Sequence, residues 1–168
     1  QSAGADPVPL TPEGWWRFAD LVWDDQQGYL IAVRENHEVE GVEPTNELVS
    51  IADDGQVTVL AEGADFYAAP KVSPDGDRVA WLSWNHPNMP WDGCELWCSE
   101  LDMESQGGML LPRLIAGGED EAIFQPEFSL NGKLYFVSDR SGWWNLYCYC
   151  GGKIEPVFPL EAEFGLPQ

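Results

Sequence analysis

The sequence predicts an all-β chain built as a partial β-propeller of about three four-stranded antiparallel blades. Three observations predict it. The motif Ala69-Pro70-Lys71-Val72-Ser73-Pro74-Asp75-Gly76 returns 56 residues later as Gln125-Pro126-Glu127-Phe128-Ser129-Leu130-Asn131-Gly132. Each copy is followed by short, β-rich, alternating runs in the same order, and modules of about 50 residues with four such runs are the mark of propeller blades. No stretch sustains a helical period, and 17 Gly with 13 Pro would interrupt one.

Residues 1–14 read as an N-terminal extension, and residues 15–63 as the first and faintest blade. Its strands are expected at 18–23, 29–34, 46–51 and 57–60, with Asp24-Asp25-Gln26-Gln27-Gly28 as the turn between the first two and Asp54-Gly55 before the last. Residues 64–118 form the second blade, with a long loop at 85–93. The repeated motif supplies its first strand and an Asp-Gly turn, which leads into a second strand at 77–84. Glu95-Leu96-Trp97-Cys98 opens the third strand, and 110–115 is the fourth. Residues 119–160 repeat this grammar through an Asn-Gly turn, with strands at 133–139, at Asn145-Leu146-Tyr147-Cys148 and at 154–158. Residues 161–168 read as the start of a next, missing blade. A blade packs both faces on its neighbours, so Val79, Trp81, Leu96, Leu134, Phe136, Leu146 and Tyr147 are the expected core.

Propellers close with about four to eight blades, so three are too few. The expectation is either part of a longer protein or a homodimer that closes the ring and presents an acidic surface to a partner.

Eight Lys and Arg stand against 29 Asp and Glu, a formal net charge of −21. A polyanion of that density repels phosphate backbones and anionic headgroups, so no nucleic acid and no membrane partner is expected. With 44% apolar residues and nine Trp, the chain has too much hydrophobic surface for an acidic disordered tail. Apolar runs are only a few residues long, far from the roughly 18–20 that span a bilayer. Residues 1–6 carry no basic or apolar signal-peptide region, so a cytoplasmic location is expected.

The four cysteines, Cys94, Cys98, Cys148 and Cys150, leave three readings open: buried or half-buried thiols, one disulfide, or a metal site. Four residues of extended strand span roughly 13 Å. Two thiolates on one zinc must lie within about 4 Å, so Cys94 and Cys98 cannot share a metal on a straight strand. Cys148 and Cys150 share a strand face near the upper limit for a disulfide. No metal and no cofactor is expected, since no Gly-rich phosphate loop, H-E-x-x-H helix or EF-hand loop occurs.

The run at 65–93 (DFYAAPKVSPDGDRVAWLSWNHPNMPWDG) resembles the propeller of prolyl-oligopeptidase-family serine peptidases, in the acylaminoacyl-peptidase and dipeptidyl-aminopeptidase branch. So do 124–147 (FQPEFSLNGKLYFVSDRSGWWNLY) and 159–165 (PLEAEFG). The repeats are of the TolB-like or WD40-like kind, and the insertion NHPNMPWDG between second and third strands is far more distinctive than their generic turn motif. The resemblance implies an N-terminal propeller that restricts access of peptide substrates to a C-terminal α/β-hydrolase domain, whose Ser-Asp-His triad cleaves them. This chain matches about the second half of such a propeller.

No catalytic residue is expected in the chain itself. A serine hydrolase of this type needs a G-x-S-x-G nucleophile elbow. The nearest approach, Asp139-Arg140-Ser141-Gly142, lacks the first glycine and falls in a hairpin turn. The substrate-facing or interdomain-facing candidates are His86, Asn88, Trp91 and Asp92, on a loop stiffened by two prolines, and Arg140 on the corresponding connection of the third blade. For that loop a structural plug over the blade edge is the alternative reading. Asp139 is expected to accept backbone N–H bonds, and Arg140 to stack on an aromatic ring or pair with a carboxylate.

Overall fold

The computed structural model describes residues 6–102 and 108–165. The final residues of the predicted next blade, 166–168, lie outside them, as do residues 1–5 of the extension. Among the described residues there are twelve strands and no helix. They form three antiparallel sheets, each a meander of four consecutive strands. The first contains β1 (Trp16–Asp24), β2 (Tyr29–Asn36), β3 (Thr45–Ile51) and β4 (Val57–Ala61). The second contains β5 (Phe66–Val72), β6 (Arg78–Trp84), β7 (Glu95–Asp102) and β8 (Gly108–Gly117). The third contains β9 (Ile123–Phe128), β10 (Leu134–Ser138), β11 (Asn145–Cys150) and β12 (Lys153–Pro156). This is the blade architecture of a β-propeller.

The repeated motif builds the turn between the first and second strand of each blade. Ser73 Oγ accepts the N–H of Arg78 at 3.0 Å, and Gly76 N–H closes on the Ser73 carbonyl at 2.8 Å. Ser129, Lys133 and Gly132 repeat the arrangement. In the first blade Asp24 stands in for serine, its Oδ1 accepting the N–H groups of Gln26 and Gln27. Gly28, Gly76 and Gly132 all hold φ near +75°, the left-handed region where a side chain is strained. Successive turns also touch. Arg78 Nη2 donates to the Gly132 carbonyl at 2.7 Å, and its guanidinium lies over Phe128. The motif therefore sets blade spacing as well as hairpin geometry.

In the second blade, period-2 alternation divides each middle strand between two blade interfaces. Tyr67, Val79 and Trp81 face the first sheet, against Ile31, Val33, Leu48 and Leu60. Ala80, Leu82 and Leu96 face the third, against Leu134, Phe136 and Tyr147. A directly paired cross-strand aromatic couple faces back in both the second and third blades: Trp81 with Trp97, centroids 6.4 Å apart, and Phe136 with Tyr147, 6.0 Å apart. Such stacked pairs add about 0.5–1.5 kcal/mol beyond their area. One expected core residue is corrected. Leu146 precedes Tyr147 and so points to the opposite face of β11, where it is only half-buried.

A bulge in the first strand of every blade has no counterpart in the sequence pattern. Asp20, Ala69 and Gln125 adopt φ of 50°, 50° and 46°, and the pairing register shifts at each position. An extra residue there bends the strand and increases its twist. Pro70 and Pro126, which follow two of the three, fit because an edge strand with a bulge tolerates the missing N–H. The first strands pack on one another along the stack. Asp20 Oδ2 accepts the Ala69 N–H at 2.9 Å, and Lys71 Nζ pairs with Glu127 Oε1 at 2.6 Å.

Candidate functional site

The connections that follow the second and fourth strands meet at one end of the stack, and the 85–93 loop is the largest of them. Its entry is anchored within its own blade: Asp65 N–H donates to Asn85 Oδ1 at 2.8 Å, and His86 N–H donates to Asp65 Oδ2 at 2.9 Å. The His86 ring stands edge-on to Phe66, and its Nε2 lies 3.0 Å from Glu43 Oε1 in the first blade. Asn88 Nδ2 donates to the Glu119 carbonyl of the connection into the third blade at 2.9 Å. Asp92 Oδ2 accepts Met89 N–H at 3.0 Å and closes the loop on itself. A side chain on Gly93 would lie 2.2 Å from the Glu119 carbonyl oxygen, so the loop exit is packed directly on backbone.

Arg140 attaches to the same connection from the other side. Its Nε and Nη2 form a bidentate pair with Glu121 at 2.8 and 3.1 Å, and its guanidinium lies over Tyr147. Ser138 Oγ also donates to Glu121 Oε1, at 2.6 Å. Burial alone would raise the Glu121 carboxyl, but the hydrogen bonds from Arg140 and Ser138 outweigh it and hold it below the usual range. Asp139 Oδ1 accepts the Ala122 N–H at 2.9 Å.

The geometry therefore divides the five candidate residues. His86 and Asn88 hold the loop to three successive blades, Asp92 closes it on itself, and Arg140 is occupied with Glu121 and Tyr147. Trp91 and its neighbour Met89 are different, presenting 47% and 46% of their surface to solvent. The partners that complete this network, Glu43, Asp65, Glu119 and Glu121, were missed by sequence reasoning. Each is an ordinary acidic residue in a connection, distant along the chain from the group it holds, and only the stacking of blades brings them together.

The bond to Glu43 raises the His86 pKa above the ordinary histidine value, reinforced by the charges of Glu43 and Asp65. A raised folded pKa means that the tie is at full strength below the unfolded histidine value and is lost as pH rises through the elevated one. An NMR titration of the His86 ring should show this raised value, and Glu43→Gln should return it toward normal. An unchanged titration would show that the two loops do not meet.

The cysteines are all free. Cys94 is buried at the loop exit, its Sγ lying between the Ile123 N–H at 3.2 Å and the Ile123 carbonyl at 3.3 Å. Burial pushes its pKa up to about 11, so it is a thiol at neutral pH. Cys98 and Cys148 are half-buried, and Cys150 is exposed, contrary to the reading of all four as enclosed. Native-state alkylation at neutral pH should modify Cys150 first and leave Cys94 untouched until the protein unfolds; early labelling of Cys94 would contradict the packing between blades two and three. Among the described residues, no cluster of three or more His, Cys, Asp or Glu side chains could hold a metal. No helix there is long and apolar enough to cross a membrane.

Comparison with solved structures decides the family. A Mycobacterium tuberculosis puromycin-hydrolyzing peptidase matches 96% of the chain at 34% identity with a TM-score of 0.83. A puromycin hydrolase matches 98% at 34% identity with a TM-score of 0.86. The chain is propeller sequence of the prolyl-oligopeptidase family. Prolyl oligopeptidase B from Galerina marginata, at 12% identity and a TM-score of 0.68 over 88% of the chain, shares the fold. The chain spans 27% of the length of the two puromycin-hydrolysing proteins and 22% of the third. No family model and no curated protein matches it. Within this prolyl-oligopeptidase-type propeller, the 85–93 loop and the Arg140–Glu121 pair are features of the same blade end.

Proposed function

We propose that the chain is the non-catalytic propeller portion of a serine-type peptidase and gates peptide access to a C-terminal α/β-hydrolase domain. In this reading its partners are that domain and short peptide substrates, its location is cytoplasmic, and bond cleavage is carried out outside this stretch. The observation that carries the reading is the 34% identity over nearly the whole chain to peptidases of which it spans about a quarter. Two further facts support it. The sequence holds no G-x-S-x-G elbow to position a serine nucleophile. The loop-bearing end is rigidly cross-tied yet leaves Trp91 projecting from a framework fixed by His86, Asn88 and Asp92. A pre-organised aromatic of this kind makes contacts at low entropic cost.

The test is Trp91→Ala in the native-length protein. Peptide turnover should change by about tenfold, the scale of one lost aromatic contact. Stability should move by no more than about 0.5 kcal/mol, as expected for a half-exposed side chain outside the core. Unchanged kinetics with a lowered melting temperature would instead make the loop a plug over the blade edge.

A further inference from the structure

The cleft between the first two blades holds an arrangement that the gating role does not use. Tyr67 on β5, Trp81 on β6 and Trp97 on β7 come from three adjacent strands and share the face turned toward the first blade. Together with segment 60–64 they bound a cavity of about 440 Å³, within the range of small-molecule sites. We propose that this cleft binds an organic ammonium cation.

Three observations point to that ligand class. The first is the aromatic lining. Trp81 and Tyr67 are buried and Trp97 is half-buried, so ring systems rather than aliphatic groups dominate the wall toward the second blade. Aromatic quadrupoles attract a cation most strongly where it is partly shielded from water. The second is the sign of the charge. The ionised side chains lining the cavity are Glu62 and Glu95, with no Lys, Arg or His among its lining residues. Glu95 Oε2 accepts the Trp97 indole N–H at 3.0 Å, which fixes a carboxylate beside the ring that a cation would contact. The third is pre-organisation. Ala64 N–H donates to the Tyr67 hydroxyl oxygen at 3.1 Å, and Trp81 stacks nearly parallel to Trp97, so the walls are set before any ligand arrives. Burial raises the Tyr67 pKa, and the Glu62 and Glu47 charges add to it, which places their negative potential at the cleft. Glu47 is already matched by Arg34. Glu62 and Glu95 are then the carboxylates left to meet an incoming cation.

The probe is choline, set against 3,3-dimethylbutan-1-ol, which has the same shape without the charge. Each is titrated into the native-length protein, with calorimetry and the Trp97 indole N–H resonance as readouts. Choline should bind saturably and the alcohol at least about tenfold more weakly, the discrimination expected of cation–aromatic and carboxylate contacts. Trp97→Leu keeps apolar bulk but removes the ring and should weaken choline by about tenfold. Glu62→Gln, an exposed change with little bearing on folding, should weaken it by about threefold. Absence of a saturable shift up to about 50 mM choline, a generous ceiling for a weak site, would overturn the proposal. So would equal binding of the alcohol, or an affinity unaltered by Glu62→Gln and Trp97→Leu. None of these readouts depends on the hydrolase domain, so the outcome is separate from that of the Trp91 experiment.

Discussion

Truncating Phe136 to alanine is expected to lower the stability of the protein by about 3–5 kcal/mol, the range for a fully enclosed aromatic side chain. Phe136 has no solvent exposure and stacks on its cross-strand partner Tyr147. It sits where Ala80, Leu82 and Leu96 of the second blade meet the third, so its loss opens a cavity between two sheets. Against a total of roughly 5–15 kcal/mol for an ordinary domain, that is about a fifth or more of the margin. Urea unfolding followed by tryptophan fluorescence would show the midpoint falling at constant slope. Leu130→Ala provides the control, because Leu130 is 97% exposed at the tip of a turn and should change stability by no more than about 0.5 kcal/mol. A loss below about 1 kcal/mol at Phe136 would mean that these two blades do not pack as described.

The second large effect is expected at Gly117. Its φ is +91°, and a Cβ there would lie 1.9 Å from the Cys94 carbonyl oxygen. That oxygen cannot easily withdraw, because Gly118 N–H donates to it at 3.1 Å while Cys94 N–H is held by the Glu121 carbonyl at 3.1 Å. Gly117→Ala therefore combines an unfavourable dihedral with a collision against fixed backbone, and should cost about 2–4 kcal/mol. Gly142→Ala separates the two contributions. Gly142 has a similar φ of +83° but open space where the methyl group would go, so it should lose only the conformational part, about 1–2 kcal/mol. Equal losses at the two glycines, measured by the same urea series, would show that the contact with Cys94 is not present.

Most of the strand architecture was legible because the period-2 pattern and the Gly-containing turns are local signals. The repeat placed the hairpins at Gly76 and Gly132, and alternation identified Val79, Trp81, Leu96, Leu134, Phe136 and Tyr147 as buried. Leu146 shows where the reading failed: two adjacent strand residues cannot face the same interface, and burial depends on which neighbour covers each face. The bulges at Asp20, Ala69 and Gln125 were also invisible, since three unlike side chains share a backbone conformation set by how the first strands pack. The 85–93 loop was recognisable by its length and prolines. Its use of His86 and Asn88 as ties was not, because their partners depend on tertiary placement. Trp91 keeps the candidate role assigned from sequence because its side chain still projects outward.

Each sheet takes its four strands in unbroken order, which bears on how the polypeptide acquires its shape during synthesis. Every ladder can zip as soon as some fifty residues have cleared the ribosome, because short loop closures are entropically cheap and keep contact order low. The side chains that lock neighbouring modules, such as Arg78 reaching Gly132 across 54 positions, can engage only when the following module emerges. Assembly is thereby ordered from the amino end, with each finished module serving as the template surface for its successor.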